Sequence, residues 1–290
     1  MSYNCLEFKN VSYSYSMGPR SMVQALKCVS VAITKGELIS VVGASGSGKS
    51  TFAKHCNGVL LPEKGRVLVN GKDTSQRKVK ARLWQEVGLV MQHPEKQLFE
   101  ATVFDDVAFG PRNLNLSGQE TEQAVGRALD LVGLDVGEVG NLSPFTLSGG
   151  EKRRVAIAGV LALFPSILVL DEPLAGLDPS GRKMLLRQLQ GLHKNRGMTV
   201  ILITHNMDDA AAVSDRVMVM DKGAVKACAP VRDIFLSALE LESMGLEVPF
   251  ATRILQSLAE KGYHVSEEYT VEKAAVEIMN IYRNRGGHGV

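Results

Sequence analysis

Gly43-Ala44-Ser45-Gly46-Ser47-Gly48-Lys49-Ser50, followed by Thr51, is the stretch that decides this chain. Two glycines bracket four residues and lead into Lys and Ser, the pattern of a phosphate-binding loop. The apolar run Leu38-Ile39-Ser40-Val41-Val42 before it predicts a buried strand, and Thr51-Phe52-Ala53-Lys54 after it predicts a helix start. Strand, loop and helix are the context the motif needs, and a chance glycine-rich turn would lack it. Glycines let the backbone wrap a phosphate with its N–H groups inward, at a helix N-terminus whose dipole favours negative charge. Lys49 suits the β- and γ-phosphates, and Ser50 offers a hydroxyl to Mg²⁺. The motif alone leaves the kind of nucleoside triphosphatase open.

Further out, three more apolar runs end in polar residues. Val87-Gly88-Leu89-Val90-Met91 leads to Gln92, Ile167-Leu168-Val169-Leu170 to Asp171-Glu172, and Thr199–Ile203 to Thr204 and His205. Ligands of an open parallel sheet bind at the carboxyl ends of its strands, so four strand ends converge on one place. Asp171 suits Mg²⁺ held through water, and Glu172 suits a general base for the attacking water. Adjacent carboxylates repel, so a metal's charge belongs to such a site. Residues 5–34 predict antiparallel strands, with Tyr13 and Tyr15 at the far end of the first. Val67-Leu68-Val69 before Asn70-Gly71 predicts a strand and tight turn, and 217–227 predicts a hairpin around Asp221-Lys222-Gly223. The basic stretch 77–86 predicts a solvated helical face. From about 93 to 165 the pattern is helical: one helix around Asp105–Phe109 broken by Pro111, one over Gly118–Val132, one over Leu147–Phe164.

Leu147-Ser148-Gly149-Gly150-Glu151 adds the deciding motif. Ser148 and Glu151 have capping-box spacing, which marks a helix start. Two glycines there bare the backbone N–H groups, giving a second anion site built like the first but without a lysine. Leu-Ser-Gly-Gly-Glu, after a phosphate loop and shortly before Asp-Glu, resembles the signature of ABC transporter ATPases. The resemblance covers roughly residues 5–230. Gln92 matches the Q-loop, Ala175-Gly176-Leu177-Asp178 the D-loop of the dimer contact, His205 the switch histidine, and Tyr15 the aromatic that stacks on adenine. It implies Mg²⁺ at Ser50, Gln92 and Asp171, and a His205 that contacts the γ-phosphate and steadies Glu172 and the water. It also implies two ATPases packed head to tail, with ATP between the phosphate loop of one and Ser148-Gly149-Gly150 of the other. The partner is a second copy or a paralogue. The implied fold is α/β: a P-loop ABC-type ATPase domain over 1–228, with a parallel core sheet, an antiparallel β subdomain and a helical subdomain near 93–165.

A narrower resemblance lies in Gln92-His93-Pro94-Glu95-Lys96-Gln97-Leu98-Phe99, Thr102-Val103, and Asp106 to Pro111, and again in Leu147 to Ala162. These are similar to the ATPases of energy-coupling-factor transporters, including the cobalt type. There two ATPases drive a membrane coupling protein that serves a substrate-binding membrane protein, for vitamins or metals such as cobalt and nickel. The segment after Gln92 helps form the groove for the coupling helices. His93 departs from the Asn or Phe expected there, and Glu172 to Asp178 leans towards the second of paired subunits.

Composition narrows the rest. The chain has 290 residues, 45% hydrophobic and 22% charged, with net charge +2, so no strong field points to nucleic acid as a partner. Cys5, Cys28, Cys56 and Cys228 are scattered, which fits a reduced, cytoplasmic compartment. The N-terminus reads as no signal peptide, and Val155–Leu170, split by Pro165, is too short to span a bilayer. A peripheral place on the cytoplasmic face of the membrane follows from the resemblance. The tail, 229–290, predicts a small mainly helical extension: helices over Val231–Met244 and Val271–Tyr282, breaks at Gly245, Pro249 and Gly262, and a disordered end from Asn284. It either helps pair the ATPases or caps the domain's own core. Two other functions compete. One is the ATPase of a conventional importer or exporter. The other is a soluble ABC-type ATPase on DNA or ribosomes, disfavoured because only about a hundred residues without heptads separate loop and signature and one ATPase domain is present.

Overall fold

The structure, a computed structural model, describes residues 3–16, 18, 22–236, 238–266 and 268–286. Its strands are β1 (Asn4–Ser16), β2 (Met22–Thr34), β3 (Leu38–Val42), β4 (Lys64–Val69), β5 (Lys72–Asp73), β6 (Val87–Val90), β7 (Ile167–Asp171), β8 (Thr199–Ile203), β9 (Arg216–Asp221) and β10 (Ala224–Pro230). They form two sheets. One is antiparallel, in the order β2-β1-β4-β5, and the other is six-stranded, in the order β10-β9-β3-β8-β7-β6. In the larger sheet every pairing is parallel except the β9–β10 hairpin.

β3, β7 and β8 are buried along their whole length, as unbroken apolar runs in a parallel sheet should be. Successive side chains point to opposite faces, so each strand feeds two cores. Leu168, Leu170, Val200 and Leu202 face one helical layer. It is built from α4 (Val103–Asn113), α5 (Gly118–Leu131), α7 (Gly149–Leu161) and α8 (Pro179–Arg196), with the short α6 (Val136–Val139) beside them. Ile167, Val169, Ile201 and Ile203 face the other way, onto Phe52 of α1 (Lys49–Cys56) and the antiparallel sheet. α2 (Arg77–Lys80) and α3 (Leu83–Glu86) carry the basic stretch, and no residue of α2 is buried.

Some details depart from the sequence reading. Pro111 does not break its helix: α4 continues to Asn113 with the proline inside its last turn. There a missing N–H costs one hydrogen bond and the chain ends soon after. In the tail, Pro249 and Gly262 do lie at breaks, but a further helix not expected from the sequence runs between them. α9 (Met207–Val213), α10 (Val231–Leu236) and α11 (Ala238–Ser243) precede α12 (Phe250–Glu260), which begins just after Pro249 and ends just before Gly262 at φ 85°. α13 (Val271–Gly286) carries Asn284 to Gly286 as helix, while 287–290 lie outside the described residues. The tail is not uniform. Val231, Ile234, Phe235 and Leu246 pack with Val42, Val217 and Val219 and so cap the sheet's own core. α12 and α13 meet in a small separate cluster around Ala251, Leu255 and Ala274.

Candidate functional site

β3 delivers the phosphate-binding loop at its carboxyl end, and α1 starts at once. Gly48 is the helix N-cap in left-handed backbone, φ 104°. A Cβ there would lie 2.5 Å from the Ala25 carbonyl oxygen, and one on Gly43 would lie 2.2 Å from that of Met220. Backbone crowding therefore demands glycine at both positions. Lys49 is buried, and its Nζ donates to the carbonyls of Gly43 at 2.7 Å and Ala44 at 2.9 Å. Burial pushes its ammonium below the ordinary lysine value, while Glu172 and Asp171 pull it back up.

Four strand ends do meet. Ser45, Gly46 and Gly48 to Thr51 share one cavity of 460 Å³ with Gln92 after β6, Asp171 and Glu172 at the end of β7, and His205 after β8. Gly43, Ala44 and Ser47 of the same loop do not line this cavity. Tyr15 closes one wall, its hydroxyl accepting from Thr51 Oγ1 at 3.4 Å. Val23, Gln24 and Ala25 of β2 complete that wall. They carry no motif and were not singled out in the sequence. The signal that finds them is register, because Tyr15 pairs with Val23 across the β1–β2 ladder.

Glu172 stands in left-handed backbone, φ 52°, a conformation unusual outside glycine. Its N–H is tied to the Ile203 carbonyl at 3.0 Å. His205 Nδ1 lies 2.9 Å from both Glu172 carboxylate oxygens. The loop carrying His205 is held by Asp209, which takes a two-pronged bond from Arg182 at 2.6 and 2.5 Å. Arg182 is in the first turn of α8, directly after Asp178, so the D-loop helix and the histidine loop are clamped together.

Asp171 Oδ1 is buried and has no hydrogen-bond partner among the described residues. Burial raises this carboxyl above its ordinary value, against the Ser50 hydroxyl and the charges of Lys49 and Lys54. An orphaned carboxylate oxygen with a hydroxyl and an amide lining the same cavity is a hard, all-oxygen donor set, and it fits Mg²⁺. The described residues hold no cluster of three or more His, Cys, Asp or Glu that could form an all-protein metal cage. Mg²⁺ needs none where substrate phosphates complete its shell.

The signature does not join this cavity. Ser148, Gly149 and Gly150 line a separate one of 810 Å³, with Glu151, Gly176, Leu177, Asp178 and His93. Among the described residues only Ala175 borders both. Leu147 is buried in the helical core instead. The capping box is present: Ser148 Oγ accepts from Glu151 N–H at 3.3 Å, and Glu151 Oε2 accepts from Ser148 N–H at 2.9 Å. The Ser148 hydroxyl and backbone hold the Glu151 carboxyl below its ordinary value. A Cβ on Gly149 would meet nothing within 4 Å.

The ABC transporter family model matches residues 26–175. The chain is 44% identical to the energy-coupling factor transporter ATP-binding protein EcfA2 of Clostridium tetani, over 97% of this chain and 98% of that protein. It is 46% identical to the EcfA2 of Symbiobacterium thermophilum, over 97% of each. Among solved structures it resembles cbiO1 of Clostridium perfringens, part of the transporter complex cbiONQ, with TM-score 0.73 and 36% identity, over 83% of this chain and 94% of that one. It also resembles the ATP-binding cassette MJ0796, seen as a dimer bound to ADP and Pi, with TM-score 0.71 and 29% identity, over 78% of this chain and 98% of that one.

Proposed function

The chain belongs to the ABC transporter family, as an ATPase subunit of the energy-coupling-factor type, and from that premise we propose how it works and what it serves. ATP hydrolysis by this chain drives uptake of a vitamin or a transition metal such as cobalt or nickel through membrane partners. The observation that carries the reading is the separation of the two glycine-bearing helix starts into two cavities of one chain, 460 and 810 Å³. Lys49 and Ser148 line different cavities of the chain, which supports a reaction centre completed by a second ATPase, a copy or a paralogue.

In that centre the Gly43–Thr51 backbone and Lys49 hold the phosphates, and Tyr15 stacks on the base. Ser50, Gln92 and Asp171 would hold Mg²⁺, which would supply positive charge to the phosphates. Glu172 takes the proton of the attacking water, and His205, bonded to its carboxylate, fixes its direction. Leu147 to Glu151 and Ala175 to Asp178 face the partner's nucleotide. Removing the partner opens the site to water and leaves the γ-phosphate without its second set of N–H donors.

The coupling surface is the groove of 290 Å³ lined by Trp84, Gln97, Leu98, Phe99 and Phe109. Phe99 and Phe109 are both exposed and meet edge to face at 5.1 Å. An apolar rim of this kind suits a helix of a membrane coupling protein. No helix among the described residues is long and apolar enough to cross a membrane, and the reading places the chain peripherally, on the cytoplasmic face. It divides the chain into a nucleotide-binding unit, 1–228, and an extension, 229–290. The experiment is purification of the tagged chain from membranes. Recovery with a second ATPase and membrane-spanning proteins supports the reading, whereas recovery with DNA or ribosomes refutes it.

A further inference from the structure

After Gln92 the chain enters one short 3-10 turn, Pro94–Gln97, through His93 in left-handed backbone, φ 57°. The two ends of that turn face different places. Gln97, with Leu98 and Phe99, lines the apolar groove. Glu95, at the other end, lines the signature cavity.

Glu95 does not stand alone there. Arg153, in the first half of α7, is only 6% exposed. A guanidinium buried that deeply must satisfy its donors within the protein. Its Nε and Nη2 donate to Glu95 Oε2 at 3.3 and 3.2 Å. Its Nη1 donates to the Pro173 carbonyl at 3.2 Å and also to the Ala175 carbonyl. One side chain therefore joins the turn after Gln92, the signature helix, Pro173 after Glu172, and Ala175 at the start of the D-loop. Burial works to raise the Glu95 carboxyl, but its own backbone N–H, the charge and bonds of Arg153, and His93 outweigh it and hold the carboxyl below its ordinary value. Arg154, the next residue, reaches elsewhere, to the Gly133 carbonyl and Met184.

We propose that Arg153 is a positioning residue that, through Glu95, carries displacement of the groove segment Gln97–Phe99 to the signature helix start and the D-loop. This deepens the transporter reading and rests on it. A planar fork with donors on both sides can hold a carboxylate and two carbonyls at once, which an ammonium cannot do in the same geometry. A push on the groove then moves Ser148–Gly150 and Ala175–Asp178 as one body relative to the partner's nucleotide.

The readout is a ratio: ATP hydrolysis by the ATPase pair assembled with the membrane coupling protein, divided by hydrolysis by the pair alone. Loss of folded protein lowers both rates and leaves the ratio unchanged. Arg153→Met, Arg153→Lys and Glu95→Gln are each expected to cut the ratio by about fivefold or more. The double variant Glu95→Gln/Arg153→Met is expected to fall no lower than the worse single one, because both remove the same link. If Arg153→Met does not assemble, Arg153→Lys and Glu95→Gln carry the test. A ratio unchanged in variants that assemble, or losses that multiply in the double variant, overturns the proposal. A wild-type pair that the membrane protein does not stimulate sinks the transporter reading itself, and this link with it.

Discussion

The loop at 43–50 and the turn at 148–150 are both glycine-bearing helix starts, yet the chain treats them in opposite ways. At the first, glycine is forced from within: any side chain at 43 or 48 would strike a backbone carbonyl of the same chain. A buried lysine stands at its centre, and three further strand ends supply a carboxylate pair, an amide and an imidazole. At the second, Gly149 has open space around its missing Cβ. Among the described residues no lysine lines its cavity, and its helix is already capped by its own Ser148 and Glu151. The difference teaches that contacts within the chain demand glycine at 43 and 48, whereas no described residue demands it at 149, so under the proposed shared centre the reason would lie outside the chain. Close approach of another molecule's phosphates is such a reason.

The sharpest way to break this contrast is at the reacting end of the first site. Glu172→Gln keeps the shape of the side chain but removes the base, so hydrolysis should fall by about a thousandfold or more while ATP binding persists. Steady-state turnover with a nucleotide-binding assay checks both, and near-normal turnover would remove Glu172 from its role. Next is the second site. In a pair whose two protomers both carry Ser148→Arg, hydrolysis should fall about a hundredfold or more, with ATP still bound by each single chain. Full activity in that pair would mean the signature face is not part of the reaction centre.

Smaller effects separate the two glycines directly. Gly48→Ala should cost about 1–3 kcal/mol of stability, because it forces left-handed backbone and a clash with the Ala25 carbonyl. Gly149→Ala should change stability by less than about 0.5 kcal/mol and still lower hydrolysis. Thermal melts of both variants beside their turnover decide it, and equal stability losses would erase the contrast. The pH dependence of the cap gives the subtlest test. Ser148→Ala should cost about 1 kcal/mol near neutral pH. Glu151 has its carboxyl held down in the folded chain, so its share of that stability is present above the ordinary carboxylate value. It is lost as pH falls through the lowered one. The gap between wild type and Ser148→Ala should therefore narrow on acidification, and a gap constant across that window would place Glu151 outside the cap's energetics.

Most of the nucleotide cavity and of the separate signature turn could be read from the sequence because each part is local. A phosphate loop, an apolar run ending in Asp171-Glu172 and a capping box are short patterns whose geometry is fixed within one strand end or one helix turn. What could not be read depends on partners distant in sequence. Val23, Gln24 and Ala25 reach the cavity only through the β1–β2 register. The Glu95–Arg153 pair spans 58 residues, and neither member belongs to a motif that predicts the other. α12 was hidden for a different reason: Pro249 and Gly262 punctuate its ends, and the same residues punctuate loops. Pro111 misled in the same way, since proline is tolerated where a helix is about to end.

One structure bears on the shared centre most directly: the assembled transporter closed on a non-hydrolysable ATP analogue. The phosphates should lie between Gly43–Ser50 of this chain and the signature turn of the opposing ATPase, with Ser148–Gly150 of this chain on the other nucleotide. A triphosphate wholly enclosed by one chain, with Ser148–Gly150 facing solvent, would contradict it.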